Sequence, residues 1–237
     1  MLIGIMSYKV DKKNKVSNYL NLLNESLKHE LDLVVGPEYS LSEKMDLMLE
    51  VEAKKIRKDL RNLSKRYPST TIIPGSMFLK EGTDNLVSRS FVYQNEKEMF
   101  FDKQTGVEEI SVAERNGLHY KKESGRANTF NIGNKKAWLQ ICSDRSRKPE
   151  NICFDSDLEI IISHDRNTGI SGGSYPENDR YIMLSDSYYP EINLMQSTRG
   201  IRSSSISSVR LPSKKEKEII FDRSGFIDNK LGIWYLE

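Results

Sequence analysis

Glu38, Lys103 and Cys142 bring a carboxylate, an amine and a thiol to the ends of three apolar runs. The runs are LDLVVGPE (31–38), EMFFDK (98–103) and KAWLQICSD (136–144), and each reads as a β-strand. Sites in open α/β sheets gather at the carboxyl ends of strands. A thiol there can act as a nucleophile and a carboxylate as its base. An ammonium can stabilise a developing oxyanion and lower the pKa of a neighbouring thiol.

Each residue also has an ordinary reading. A free Cys is commonly a small buried hydrophobe, and strand-end Glu and Lys are commonly solvated. The context of Cys142 is an apolar strand (Ala137, Trp138, Leu139, Ile141) that stops at a polar turn, Ser143-Asp144-Arg145-Ser146. Cys153 lacks such a context and reads as structural. Two other patterns carry no chemistry. Gly169-Ile170-Ser171-Gly172-Gly173 matches G-x-S-x-G, but polar residues replace the strand and helix that a nucleophile elbow requires. His119 or His164 could serve Cys142 as a base, but no sequence feature selects either.

Composition sets the class. The chain has 237 residues, 37% hydrophobic and 30% charged, enough to bury a sizeable core. With 36 basic and 34 acidic residues it carries no basic excess that would suit nucleic acid. Two cysteines at this spacing make neither a disulfide framework nor a zinc site, so a reducing, cytoplasmic setting is expected. The N-terminal run reads as a strand rather than a signal peptide, and no apolar stretch is long enough to suggest a membrane span.

Apolar spacing predicts a strand over 2–8 and helices over 14–31 and 42–66, the second with Ser42 as N-cap. Further strands are expected at 31–36, 70–78, 86–94 and 98–103, the last two joined as a hairpin through Gln94-Asn95-Glu96-Lys97. Residues 104–134 read as irregular, with a short helix near 108–116. Strands follow at 136–142 and 158–163, with Pro149 placed to open a short helix. A small-residue loop covers 164–178. Then come a helix over 177–188 and strands near 192–198, 203–210 and 217–222. With no repeat and no dividing linker, one α/β domain over 1–237 with mixed, layered sheets is expected.

Taken in order, these segments resemble the nitrilase superfamily of carbon–nitrogen hydrolases. LDLVVGPEYSLS is similar to its strand running into Pro-Glu. DNLVSRSFVYQNEKEMFFDKQ resembles its paired strands before lysine, with Asn85 the matching asparagine. KKAWLQICSDRSRKPE is similar to its Cys-x-Asp nucleophile segment, and INLMQSTRG to a late strand ending in Gly. The spacing, 65 residues from 38 to 103 and 39 from 103 to 142, is more specific than any one segment. The similarity spans about residues 2–225. Departures are Ser146 where Arg is usual, Arg147 shifted by one, and the small-residue loop at 163–178.

The resemblance implies a four-layer α-β-β-α sandwich and a Glu-Lys-Cys triad: Glu38 as general base, Lys103 as stabiliser of the tetrahedral intermediate, Cys142 as nucleophile. It implies a second glutamate, best matched by Glu114 in VAERNG, with Glu108 and Glu109 as alternatives. The Ser143 backbone N–H would complete the oxyanion hole. A small amide, or a nitrile, would be cleaved through a thioester with no metal or organic cofactor. Self-association into a homodimer or larger homo-oligomer is also implied. Arg145, Arg147 or Arg166 could hold a substrate carboxylate. The rival readings are a catalytically silent binding or scaffold protein, an acyltransferase using the same thioester, and an ammonia-delivering glutaminase.

Overall fold

A computed structural model describes residues 1–8, 15–104, 106, 108–122, 128–141, 144, 156–163, 181–186, 208–209, 213–222 and 229–236. Alternation of apolar residues along the first strands builds two cores at once. In β1 (Leu2–Ser7), β2 (Leu33–Val35) and β3 (Thr71–Ile73), Ile3, Ile5, Leu33, Val35 and Ile73 point to one face. Met6, Val34 and Ile72 point to the other. A strand buried on both faces needs no polar residue, which is why these runs are continuously apolar.

The second face carries the helices. Helix α1 (Val16–Leu27) supplies Tyr19, Leu23 and Leu27, and α2 (Glu50–Arg66) supplies Ile56, Leu60 and Leu63, at helical spacing. The first face meets a second sheet. Its strands β8 (Thr129–Ile132), β9 (Lys135–Ile141) and β10 (Leu158–Ser163) offer Phe130, Leu139, Ile141, Ile160 and Ile162 to the same core. The described residues thus stack as helices, sheet and sheet. A fourth, helical layer is not seen among them.

Each sheet has a parallel centre with antiparallel flanks. In the first, β1, β2 and β3 run parallel. On one side stand β14 (Asn229–Leu236) and β13 (Ser213–Asp222), both antiparallel. On the other, β5 (Asn85–Gln94) pairs antiparallel with β3, β4 (Ser76–Glu81) and β6 (Lys97–Asp102), and parallel with the two-residue β7 (His119–Tyr120). In the second sheet β9, β10 and β11 (Tyr181–Asp186) are parallel, flanked by β8 and β12 (Ser208–Val209). The mixed α/β class and the expected hairpin are both present. Asn95 and Glu96 at its tip have φ of 44° and 68°, the left-handed pair that a two-residue turn requires.

Several sequence expectations are corrected. The strand over 70–78 breaks at Pro74-Gly75, because Pro lacks an N–H and Gly75 has φ 101°. The helix over 42–66 begins only at Glu50; a 3-10 turn, Glu43–Met45, precedes it with Lys44 and Met45 at positive φ. Ser42 caps nothing: its hydroxyl accepts the Phe78 N–H at 3.0 Å, a tertiary bond that outcompetes a local one. The helix over 177–188 is the strand β11, since a short apolar run fits either state until a parallel neighbour claims it. Strands β7 and β8 lie in the stretch expected to be irregular, and β14 was not anticipated. Pro149 and the strand near 192–198 lie outside the described residues. No helix among the described residues is long and apolar enough to cross a membrane.

Gly36, directly after β2, has no room for a side chain. A Cβ there would lie 1.8 Å from Tyr19 Oη and 3.0 Å from the Pro74 carbonyl oxygen. Gly36→Ala should destabilise the fold by roughly 1–3 kcal/mol, the usual cost of overpacking, measured by urea unfolding. Adding Tyr19→Phe, which removes the nearest atom, should recover part of that loss; strict additivity of the two changes would sink this account.

Candidate active site

Glu38 reaches its place through a turn held on every side. Gly36 donates its N–H to Ile73 O at 2.7 Å, continuing the β2–β3 pairing by one bond. Pro37 then ends the strand. Tyr39 adopts φ 57°, a left-handed conformation that costs a non-glycine residue energy. That conformation is held by the Ser76 hydroxyl, which accepts the Tyr39 N–H at 3.0 Å, and by the Ser40 hydroxyl, which donates to Pro74 O at 2.6 Å. A Cβ on Gly75 would lie 2.0 Å from the Pro37 carbonyl oxygen, so this close approach also requires glycine. The turn delivers the Glu38 side chain inward.

Lys103 follows the last residue of β6. Asp102, just before it, is gripped by Arg89 through two charge-assisted bonds of 2.6 and 2.7 Å. The Lys103 N–H donates to Ser88 O at 2.8 Å, and its carbonyl accepts the Tyr120 hydroxyl at 2.6 Å. Burial, and then the Glu109 charge, pushes the Tyr120 phenol well above its ordinary value, so it stays a neutral donor. The main chain of Lys103 is therefore fixed before its ammonium meets any partner.

Those partners come from two elements. Lys103 Nζ lies 2.8 Å from Glu38 Oε1, 2.6 Å from Glu109 Oε1 and 3.1 Å from Tyr39 Oη. An ammonium has three N–H bonds, and these are three acceptors. Glu38 and Glu109 are 0% exposed and Lys103 1%, so the solvated readings of Glu38 and Lys103 do not hold. Burial, opposed by Lys103 and reinforced by Glu109, pushes the Glu38 carboxyl up to about 8 from its ordinary 4.5. Among the described residues nothing donates to Glu38 Oε2 or Glu109 Oε2. Glu38 thus has one oxygen tied to the ammonium and one left to take a proton.

The structure separates the three candidates for the second glutamate by position. Glu114, the best match by sequence, is exposed on helix α3 (Glu108–Arg115), and Glu109 is the residue against Lys103. Glu109, Val112 and Ala113 form the buried stripe of α3. At 100° per residue Glu114 stands about 140° around the helix from Glu109. That period was visible in the sequence and selects Glu109 over its neighbours. Glu108 is exposed and reaches the cluster through the Tyr39 hydroxyl, at 3.2 Å. Tyr39 itself, also 0% exposed, was not a sequence candidate.

Cys142, Ser143, Cys153, Arg145, Arg147, His164, Arg166 and Ser171 lie outside the described residues. Ile141 before the Cys142–Ser143 pair and Asp144 after it are described. Strand β9 ends at Ile141, and both carboxylate oxygens of Asp144 accept the Gln104 N–H at 3.0 Å. The Cys-x-Asp segment is therefore tied, through Asp144, to the residue after Lys103. His119 is exposed, and no group of metal-binding side chains occurs among the described residues.

Two outcomes are expected. Glu109→Ala strips an acceptor from Lys103 and from Tyr39 and should cost roughly 1–3 kcal/mol for each donor left unpaired. Glu114→Ala should stay within about 0.5 kcal/mol of wild type; equal effects in chemical denaturation would contradict the placement. Glu38 gives a pH signature. Its folded value is raised, so the fold keeps a proton that the unfolded chain has released. Its contribution is complete below about pH 4.5 and is lost as pH rises through about 8. Relative to Glu38→Gln, wild-type stability should fall by up to ~1.4 kcal/mol per pH unit across that window; parallel stability curves would rule this out.

No protein-family model and no curated protein matches this chain. Solved structures do. A glutamate-to-glutamine variant of the amidase from Nesterenkonia sp. AN1, carrying acrylamide by Michael addition at its active-site cysteine, superposes with TM-score 0.65. That match has 12% identity and covers 100% of this chain and 93% of the other. A cysteine-to-alanine variant of the same amidase in complex with butyramide gives TM-score 0.59 at 12% identity, over 78% of this chain and 76% of that one. These amidases are of the nitrilase superfamily. The chain therefore has a nitrilase-superfamily fold.

Proposed function

We propose that the protein is a thiol hydrolase cleaving the C–N bond of a small, non-peptide amide, with Cys142 as nucleophile. The observation that carries this reading is the buried Glu38–Lys103–Glu109 cluster. Two carboxylates and an ammonium removed from water are costly to keep as mere structure, and such pKa-perturbing clusters concentrate at functional sites. The bond between Asp144 and Gln104 supports Cys142 as the partner, because it ties the thiol's own segment to that of Lys103. The amide class is supported by two variants of the Nesterenkonia amidase, one in complex with butyramide and one carrying acrylamide at its active-site cysteine.

The steps follow from the groups. Glu38 holds its proton up to about pH 8, so the reaction starts from its ionised fraction, which takes the Cys142 proton on its open oxygen while sulfur attacks the carbonyl carbon. Lys103, with the Ser143 N–H, stabilises the oxyanion. Glu38 passes the proton to the leaving nitrogen, the C–N bond breaks, and a thioester remains. Glu38 then deprotonates water, which adds to the thioester, and the proton returns to sulfur as the acid departs. Glu109 keeps Lys103 aimed between these events.

Ammonia release from a panel of small amides, carbamoyl compounds and nitriles tests this reading. Cys142→Ala should lower release by about a thousandfold or more, as loss of a nucleophile does elsewhere. Cys142 should also alkylate faster than Cys153 at neutral pH. No Cys142-dependent release, together with equally slow labelling of both cysteines, would make the protein a silent binding member instead. Transfer of the acyl group to added amines would make it an acyltransferase.

A further inference from the structure

Tyr39, the residue after Glu38, occupies the centre of the cluster. The Tyr39 hydroxyl donates to Glu109 Oε1, accepts from Lys103 Nζ at 3.1 Å, and lies 3.2 Å from Glu108 Oε2. Its ring stacks on Phe78 of β4 with centroids 4.7 Å apart, and Lys103 Nζ lies 5.5 Å from the ring centre. Its backbone is held at φ 57° by the Ser76 hydroxyl. A strained backbone kept beside an acid–base cluster is an observation that asks for a function. Here the strain turns the chain so that Glu38 and the Tyr39 phenol both enter the site.

We propose that Tyr39 is a positioning residue of this site, whose phenol aims Lys103 and Glu109 and sets how tightly the cluster holds its proton. This rests on the hydrolase reading for its catalytic consequence, but not for its electrostatic one. An O–H donated to a carboxylate favours the charged form. The phenol donates to the same Glu109 oxygen that accepts from Lys103. Without it, the cluster would hold its proton to higher pH. The charged and titratable groups facing the phenol are Lys103 from the end of β6, and Glu108 and Glu109 from α3. Glu38 is its chain neighbour, and β4 presents Phe78 and the Ser76 hydroxyl. Tyr120 and Asp144 stand one contact further, on the Lys103 carbonyl and the Gln104 N–H.

Tyr39→Phe in the full chain tests this, since it keeps the stacked ring and removes one oxygen. The first readout is the carboxyl titration of the cluster by NMR with 13C-labelled glutamate, which needs no substrate. Its midpoint should rise by about one pH unit, the scale of one hydrogen bond to a charged group. Tyr93→Phe is the control. It removes another phenol–carboxylate bond, 2.9 Å to Glu98, away from the site, and should leave the midpoint in place. A ring-fluorinated tyrosine at position 39 is a stronger donor in the same shape and should move the midpoint down. The second readout is amide hydrolysis: kcat should fall about tenfold for a bond worth one such unit, with KM little changed. An unmoved midpoint in both Tyr39 variants, or an equal shift in Tyr93→Phe, overturns the proposal whatever the activity. Absence of activity in wild type would refute the hydrolase reading, while the titration would still decide the role of Tyr39.

Discussion

One ammonium shared between two carboxylates, out of reach of water, is the constraint on which the rest of this structure depends. Each charge alone would be expensive to bury, by several kcal/mol even after relaxation. Together they are tolerable only at hydrogen-bond distance. Glu38, Lys103 and Glu109 come from a turn, a strand end and a helix face, the first 65 residues before Lys103 and the last six after it. Every element that carries one of them must therefore be rigid, and the surrounding bonds show how that is arranged.

The rigidity is local in origin. The 36–42 turn is fastened along β3 and β4 by bonds to Ile73, Pro74 and Ser76. Its tight packing admits only glycine at positions 36 and 75. The end of β6 is fastened by Arg89 on Asp102, by Ser88 and by Tyr120. Helix α3 docks through Val112 and Ala113, which share a face with Glu109. Away from the site, Arg57 and Arg61 of α2 meet Glu98 on the hairpin, holding β6 against the helical layer. The site is thus a by-product of secondary structure locked at its ends, where turns leave side chains free to converge.

The two-sheet arrangement explains why such a site forms at one edge. Strand β2 runs parallel to both its neighbours in the first sheet, and β9 runs parallel to β10 in the second. Each releases its chain at its carboxyl end, one into Glu38 and the other into the Cys-x-Asp segment. Because the sheets share a single apolar core, those ends are held together by packing that involves no polar group. The bond from Gln104 to Asp144 then sets the register between the segments.

Much of this was legible in the residues. Continuous apolar runs announced doubly buried strands, and turn-forming Gly-Pro announced where Glu38 leaves its strand. The charged face of α2 announced a helix lying on a sheet. Local chemistry dictates these features, so a single sequence displays them. Glu109 was legible too, because it shares one helical face with the apolar Val112 and Ala113. Tyr39 was not, because its role depends on a left-handed backbone that only contacts with β4 enforce. Nor was β11, since a run of four apolar residues, Tyr181 to Leu184, becomes strand or helix according to its neighbour. The order and type of the elements follow from short-range patterning. The burial of three charges and a phenol in one place follows from long-range closure, and no local rule foresees which distant groups will share a proton.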